Sequence, residues 1–348
     1  MLGGLASSLT SGWALARLRT SSYCAVGALF ALVGLLGYLG ASWTLVVTST
    51  LILGIGGGML NAGLNTFVAA HYPASRMNWL HAFYGLGSSL GPFLFTLWAL
   101  SLGLPWRWVY AGVAGVYLVL IVLMLRYRQL WPPLRFKSTK GDTENPVRAS
   151  LRVALGLGVT WLGMALLFMH TGTSVSAGQL SSSLLNLGRG VPAEVAGNAA
   201  ALYWACITAG RLLMGAVVDR VGSSRLLRFC TAGTVLGAAV LWFAPIPLVS
   251  FLGVALMGLT LAPVYPTSVS RTPALVGPNL SAHAIGVQVA AGSLGSAALP
   301  GILSGVADWG GATLIAPGLV VFALLQFIAH EALVRHEAHV SVSAPAEA

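Results

Sequence analysis

The sequence predicts an all-α protein that crosses a membrane about eleven times. Two observations carry this expectation. Of 348 residues, 57% are hydrophobic and only 7% charged, whereas a soluble domain carries about 25% charged residues. So few charges cannot clothe a soluble globule of this size, and the mean hydropathy of +0.84 agrees. Apolar stretches of about 20 residues, the length that spans a hydrocarbon core, also recur along the chain. Together these exclude a disordered chain and most soluble enzymes.

The stretches fall at 1–16, 23–42, 44–70, 79–101, 107–126, 151–180, 195–217, 226–244, 247–267, 281–306 and 312–334. The first is short and rich in Gly and Ser, and a signal peptide is its alternative reading. A signal peptide needs basic residues before its apolar core, whereas Arg17 and Arg19 follow it here. Residues 127–150 contain WPPLRFKSTKGDTENP, with three prolines and mixed charge, and read as a linker. The expected domains are therefore 1–126 with five spans, a linker at 127–150, 151–334 with six spans, and a tail at 335–348.

The formal net charge is +10. A basic stripe for nucleic acid is not the reason, because the basic residues fall in particular loops. Alternating the spans places sixteen of the 18 Lys and Arg, Arg211 and Arg271 among them, on one side. Only Arg107 and Arg189 fall on the other. The positive-inside rule makes the crowded side cytoplasmic, with the C-terminus inside and the N-terminus outside. The same residues attract anionic headgroups, so the bilayer is the first partner. Cys24, Cys206 and Cys230 lie in apolar runs without CxxC spacing, which indicates neither disulfide nor metal site. No cofactor motif appears. The glycine run GIGGGMLNAG (54–63) lies inside a span with no preceding strand, so it reads as close helix packing rather than a nucleotide loop.

The two halves resemble each other at an offset of about 203 residues. SGWALARLRTSS (11–22) aligns with MGAVVDRVGSSR (214–225), pairing Gly12 with Gly215 and Arg17 with Arg220. HAFYGLGSSLGP (81–92) has a looser counterpart in HAIGVQVAAGSLGSAALP (283–300). Paired membrane halves joined by a loop are typical of secondary transporters.

On these residues the chain resembles the major facilitator superfamily. GAVVDRVGSSR, Gly215 to Arg225, matches its G-x-x-x-D-R-x-G signature, and GSSLGP (87–92) resembles its G-x-x-x-G-P signature. LMGLTLAPVYPT (256–267) and VQVAAGSLGSAALPG (287–301) look like its tenth and eleventh helices. TGTSVSAGQ and ALYW…GRLLMG resemble the fucose permease-like branch of sugar–proton symporters. The resemblance implies a two-bundle fold. Aligned so, residues 1–16 correspond to the family's second helix, and the first is expected to be missing.

The resemblance also implies a gating motif of Gly215, Asp219, Arg220, Gly222 and Arg225, with Asp219 holding one side closed. An acid there caps a neighbouring helix or pairs with Arg. The first-half copy carries Ala16 in its place. The candidate solute-binding residues are Asn61, Asn65, His81, Tyr84, His170, Gln179, Tyr203, Trp204 and Gln288, with Tyr265 also inside a span. They supply amides and flat rings, as sugar recognition requires; singly, each also suits ordinary helix–helix hydrogen bonding. All eight acids, Asp142, Glu144, Glu194, Asp219, Asp308, Glu331, Glu337 and Glu347, fall in loops, at span ends or in the tail. The symporter branch is expected to carry acids where this chain has Asn61 and Ser174, and a Trp where it has Leu180. His170 is then the titratable candidate within a span. HEALVRHEAH (330–339) lacks the second His of HExxH, since Val334 stands there, and reads as a solvated, frayed helix end.

The function expected is secondary transport of a small polar solute, of which a sugar is one example, by alternating access, with a proton as the implied coupling ion. The alternative is a truncated or degenerate relic without transport. No nucleophile–base–acid set lies within the spans, so an enzyme is not expected.

Overall fold

The structure is a computed structural model. It describes residues 2–40, 42–95, 97–98, 102–103, 105, 107–134 and 150–343. Most of the expected linker, 135–149, and the end of the tail, 344–348, lie outside the described residues. Among the described residues there is no strand. Helices α1 (Leu2–Leu15), α2 (Thr20–Gly37), α3 (Trp43–His71), α4 (Ala74–Phe95) and α5 (Arg107–Arg126) come first. Then follow α6 (Leu151–Gly156), α7 (Gly158–Ser183), α8 (Ala193–Val221), α9 (Ser223–Trp242), α10 (Pro247–Leu261), α11 (Val264–Val276), α12 (Pro278–Gly310) and α13 (Ile315–Ser343).

Among the described residues, every expected apolar stretch is mainly helical. Two are interrupted. Leu157 is extended between Gly156 and Gly158, which separates α6 from α7. Pro263 has no N–H to donate, and there α10 gives way to α11. Eight stretches are long and apolar enough to cross a bilayer by themselves. Helix α1 is too short for that test, while α4 and α7 are long enough but carry Arg76, Asn78, His81 and His170, Thr171, Thr173, Ser174 respectively. Helices as polar as these need protein neighbours rather than lipid. By contrast α5 leaves Val116, Leu118, Val119 and Val122 exposed, a face that only hydrocarbon suits. The protein is an integral membrane protein.

The chain divides into two compact units. The first holds Met1–His71, Leu86–Gly156 and Val276–Ala290. Its glycine run packs as the sequence predicts. A Cβ at Gly56 would meet Ala31 N and Gly27 O of α2, both at 2.5 Å. One at Gly58 would meet Ser7 Oγ of α1 at 2.1 Å. Two glycines a half-turn apart thus admit two different helices, a contact that dispersion forces reward and any side chain would block. The start of α12 packs on α1 in the same way: Gly12 lies under the His283 ring, and a Cβ at Gly286 would stand 2.4 Å from Ser8 O.

The second unit holds Tyr72–Gly85, Leu157–Leu275 and Ala291–Ala348. Leu184, Leu185, Leu241, Met257, Leu261 and Leu319 form its apolar core. Asn78 of α4 donates to Thr267 of α11 at 3.1 Å. Helix α13 does not fray at 334. It continues to Ser343, because Glu331 takes a two-point bond from Arg228 of α9 at 2.7 and 2.8 Å and Glu337 pairs with Arg271 of α11 at 2.6 Å. His330, expected to be solvated, is fully buried.

Candidate functional site

The helical period decides which polar residues meet. His170 and Ser174 stand four residues apart and share one face of α7. Tyr203 and Arg211 stand two turns apart on α8, and His81 and Gly85 one turn apart on α4. These faces converge inside the second unit. Ser174 Oγ and Tyr203 OH share a hydrogen bond of 2.8 Å. Arg211 Nη1 donates to the His81 carbonyl at 3.0 Å. The Tyr265 ring of α11 lies edge-on to His81 at 5.0 Å and tilted to His170 at 6.3 Å. Gly85 permits this. A Cβ there would lie 2.8 Å from Thr208 Oγ1 and 3.6 Å from Arg211 Nη1, so any larger residue would push α8 away.

Burial within the cluster is uneven. His170 and Tyr203 are buried, and His81 and Tyr265 half-buried, while Tyr84 is 70% exposed. Arg211 is half-buried with its Nε shut off from solvent and unpartnered. Among the described residues, no carboxylate lies within ion-pair distance of it. Arg211 had been counted with the loop residues of the basic side. It lies instead within α8, eight residues and about 12 Å of helix before Asp219. Sequence reasoning missed it by treating every basic residue as a topology signal. The internal repeat held the clue, since position 211 corresponds to Ser8 in the first half, a substitution of cation for serine on otherwise similar helices.

The remaining candidates fall elsewhere. Trp204 is partly exposed and lies over Gly178, where a Cβ would meet its ring at 2.6 Å. Gln179 is exposed on α7. Asn65 of the first unit donates to Asn61 Oδ1 at 2.7 Å, an intrahelical pair with Asn61 exposed and Asn65 buried. Gln288 is buried in the first unit.

The turn between α8 and α9 is built around Gly222 at φ +88, a conformation glycine adopts without steric cost. Asp219 Oδ1 accepts the Ser75 N–H in the first turn of α4 at 3.3 Å, and so acts as a cap. It forms no ion pair with Arg220, and both Arg220 and Arg225 are exposed. Gly215 receives the Trp79 ring, 2.6 Å from where a Cβ would stand. In the first half, Ala16 takes the place of Asp219, so the acceptor is absent there.

The sequence profile of the Major Facilitator Superfamily matches residues 1–300 and again residues 162–346. The chain belongs to the Major Facilitator Superfamily. Among curated proteins, a TsgA homolog of Erwinia tasmaniensis is 26% identical over 215 residues, 60% of this chain and 51% of that protein. The chain therefore spans about half the length of that relative. Among solved structures, the Escherichia coli fucose:proton symporter superposes with a TM-score of 0.75 at 15% identity, over 94% of this chain and 87% of that one. A proton:xylose symporter bound to 6-bromo-6-deoxy-D-glucose gives 0.78 at 14%, over 96% and 83%. The human organic anion transporter TETRAN gives 0.73 at 19%, over 94% and 81%. At such identities the likeness is one of fold. The second unit brings together rings, hydroxyls, imidazoles and one cation from four helices. Ser174, where the symporter branch was expected to carry an acid, is neutral and already engaged by Tyr203.

Proposed function

We propose that this major facilitator protein is a secondary transporter, not an enzyme, that carries a small polar solute across the plasma (inner) membrane by alternating access. The observation that carries the reading is the polar cluster of His81, His170, Ser174, Tyr203, Arg211 and Tyr265 inside the second unit. Hydrogen-bonding groups are costly within a membrane protein, and those retained there mark solute or ion pathways. The proposed organisation is a bundle at 1–126 and a bundle at 151–334 joined by a cytoplasmic linker, with a cytoplasmic C-terminus. Gly215, Asp219, Arg220, Gly222 and Arg225 form the gate, with Asp219 holding the start of α4. Tyr84, Gln179 and Trp204 extend the solute-facing surface of the second unit beyond the cluster, and Asn61, Asn65 and Gln288 are the proposed solute-binding residues of the first unit. A proton is the proposed coupling ion. His170 and His81 are the groups in the cluster able to take one, since a neutral imidazole both donates and accepts.

The test is uptake into proteoliposomes over a panel of radiolabelled sugars and organic acids, with and without an inward proton gradient. Saturable uptake of one solute, lost in His170→Leu and Tyr203→Phe, supports the reading. No uptake of any solute would return the chain to the non-transporting alternative.

A further inference from the structure

We propose that Arg211 is an anion anchor and that the transported solute is a hydroxylated monocarboxylate rather than a neutral sugar. This rests on the transport reading and narrows its substrate. The first argument is charge. An arginine stays protonated in proteins, and a half-buried guanidinium inside a membrane protein is tolerated where a counter-charge arrives. Among the described residues, the second unit sets no carboxylate within ion-pair distance of Arg211. Glu331 is engaged by Arg228, Glu337 by Arg271, and Asp219 by the Ser75 N–H. Among the described residues, Arg211 makes one hydrogen bond, to a neutral carbonyl. The missing charge is one that a ligand brings.

The second argument is geometry. Nη1 is the nitrogen that His81 O occupies, which leaves the Nε–Nη2 edge. That edge presents two parallel N–H groups that match the two oxygens of a carboxylate. The same protein shows this pairing elsewhere: Arg228 uses Nε and Nη2 to hold Oε1 and Oε2 of Glu331 at 2.7 and 2.8 Å. In Arg211 the equivalent Nε has no partner.

The third argument is stoichiometry. Arg211 is the one cationic side chain in a cluster otherwise made of Ser174, Tyr203, Tyr265, His81 and His170. With both imidazoles neutral, the one fixed positive charge balances a monoanion, whereas a phosphate dianion would leave charge uncompensated in a low dielectric. The neutral hydroxyls and imidazoles around it suit a substrate with hydroxyl groups beside its carboxylate. The anchor also belongs to one half only, because its repeat partner is Ser8.

The experiment uses the full chain in lipid nanodiscs and in proteoliposomes. Gluconate, lactate, pyruvate and benzoate are the monocarboxylate probes, with glucose as the neutral analogue of gluconate and inorganic phosphate as the other anion. Thermal unfolding reads binding, and radiolabelled uptake reads transport. We expect at least one monocarboxylate to stabilise the protein where glucose and phosphate do not. Its affinity should fall at least about tenfold in Arg211→Gln and less in Arg211→Lys, which keeps the charge but loses the fork. Correct folding of both variants is read from a monodisperse nanodisc fraction and an unchanged melting curve without ligand. If glucose is taken up and Arg211→Gln leaves that uptake intact, the anion anchor is overturned and the transport reading stands. If no probe is taken up but a monocarboxylate still stabilises the wild type and not Arg211→Gln, the anchor stands and the transport reading falls. If no monocarboxylate shifts unfolding, the anchor is overturned.

Discussion

The Asp219 carboxylate accepts the backbone N–H of Ser75 at 3.3 Å, so an acid in the turn after α8 caps the first turn of α4, 144 residues away in sequence. A cap of this kind is worth about 1 kcal/mol. In Asp219→Asn an amide oxygen still accepts the bond but the charge that favours a helix N-terminus is gone. In Asp219→Ala both are lost. Initial uptake should therefore fall in the order wild type, Asn, Ala, while the amount of protein inserted in the membrane stays level. Equal uptake by all three would remove Asp219 from the gate.

Gly215 and Trp79 make a second junction between α8 and α4. A methyl group at 215 would stand 2.6 Å from the indole. Gly215→Ala should destabilise the purified protein by about 1–3 kcal/mol, the usual cost of overpacking, and Gly215→Val by more. Adding Trp79→Ala should recover much of the loss. If the double variant melts no higher than Gly215→Val alone, the indole is not the obstacle.

Ser174 of α7 and Tyr203 of α8 share a buried hydrogen bond of 2.8 Å. Hydrogen bonds between membrane helices average about 0.6 kcal/mol and reach about 1.7. Ser174→Ala and Tyr203→Phe should each cost within that range, and together scarcely more than either alone. Fully additive effects on unfolding would show that the two hydroxyls act independently.

Arg189, which alternation of the spans sets apart from all the other basic residues but Arg107, has a structural task. It donates to Ser250 Oγ, to the Leu241 carbonyl and, at 3.2 Å, to the Trp242 carbonyl at the end of α9. Carbonyls at a helix C-terminus lack intrahelical partners and carry partial negative charge. Arg189→Ala should lower stability by about 1–3 kcal/mol, with little change in solute affinity. A variant as stable as the wild type would leave α9 without need of this cap.

Sixteen of 18 basic residues were placed on one side by alternating the spans. Cysteine labelling from outside intact cells should therefore reach a cysteine introduced at Leu187, which is 76% exposed, and not one introduced at Ser224. Labelling of both from the same side would overturn the span count.

The helices were legible because hydrocarbon thickness sets a length that recurs in the sequence whatever the side chains do. Their ends were less so. The stretch read as 312–334 continues to Ser343 because Arg271, sixty-six residues earlier, supplies a partner for Glu337. No local pattern contains that information. The cluster was half legible. His81, His170 and Tyr203 stood out as polar groups within apolar runs, whereas Arg211 looked like one more boundary charge. What distinguishes it is the glycine at 85 that lets α8 close on α4, a property of packing. Gln179 lies on α7 as well, but on an exposed face apart from the Ser174–Tyr203 hydrogen bond.

The first half lacks this acid, since Ala16 stands where the repeat sets Asp219, and its own helix contact is steric: Gly12 lies under the His283 ring, and a Cβ at Gly286 would meet Ser8 O. One half thus holds a helix by a charge and the other by fit alone. Dissolved salt weakens the first kind of contact and leaves the second untouched, so raising the ionic strength should loosen the two halves unequally, the Asp219 joint first.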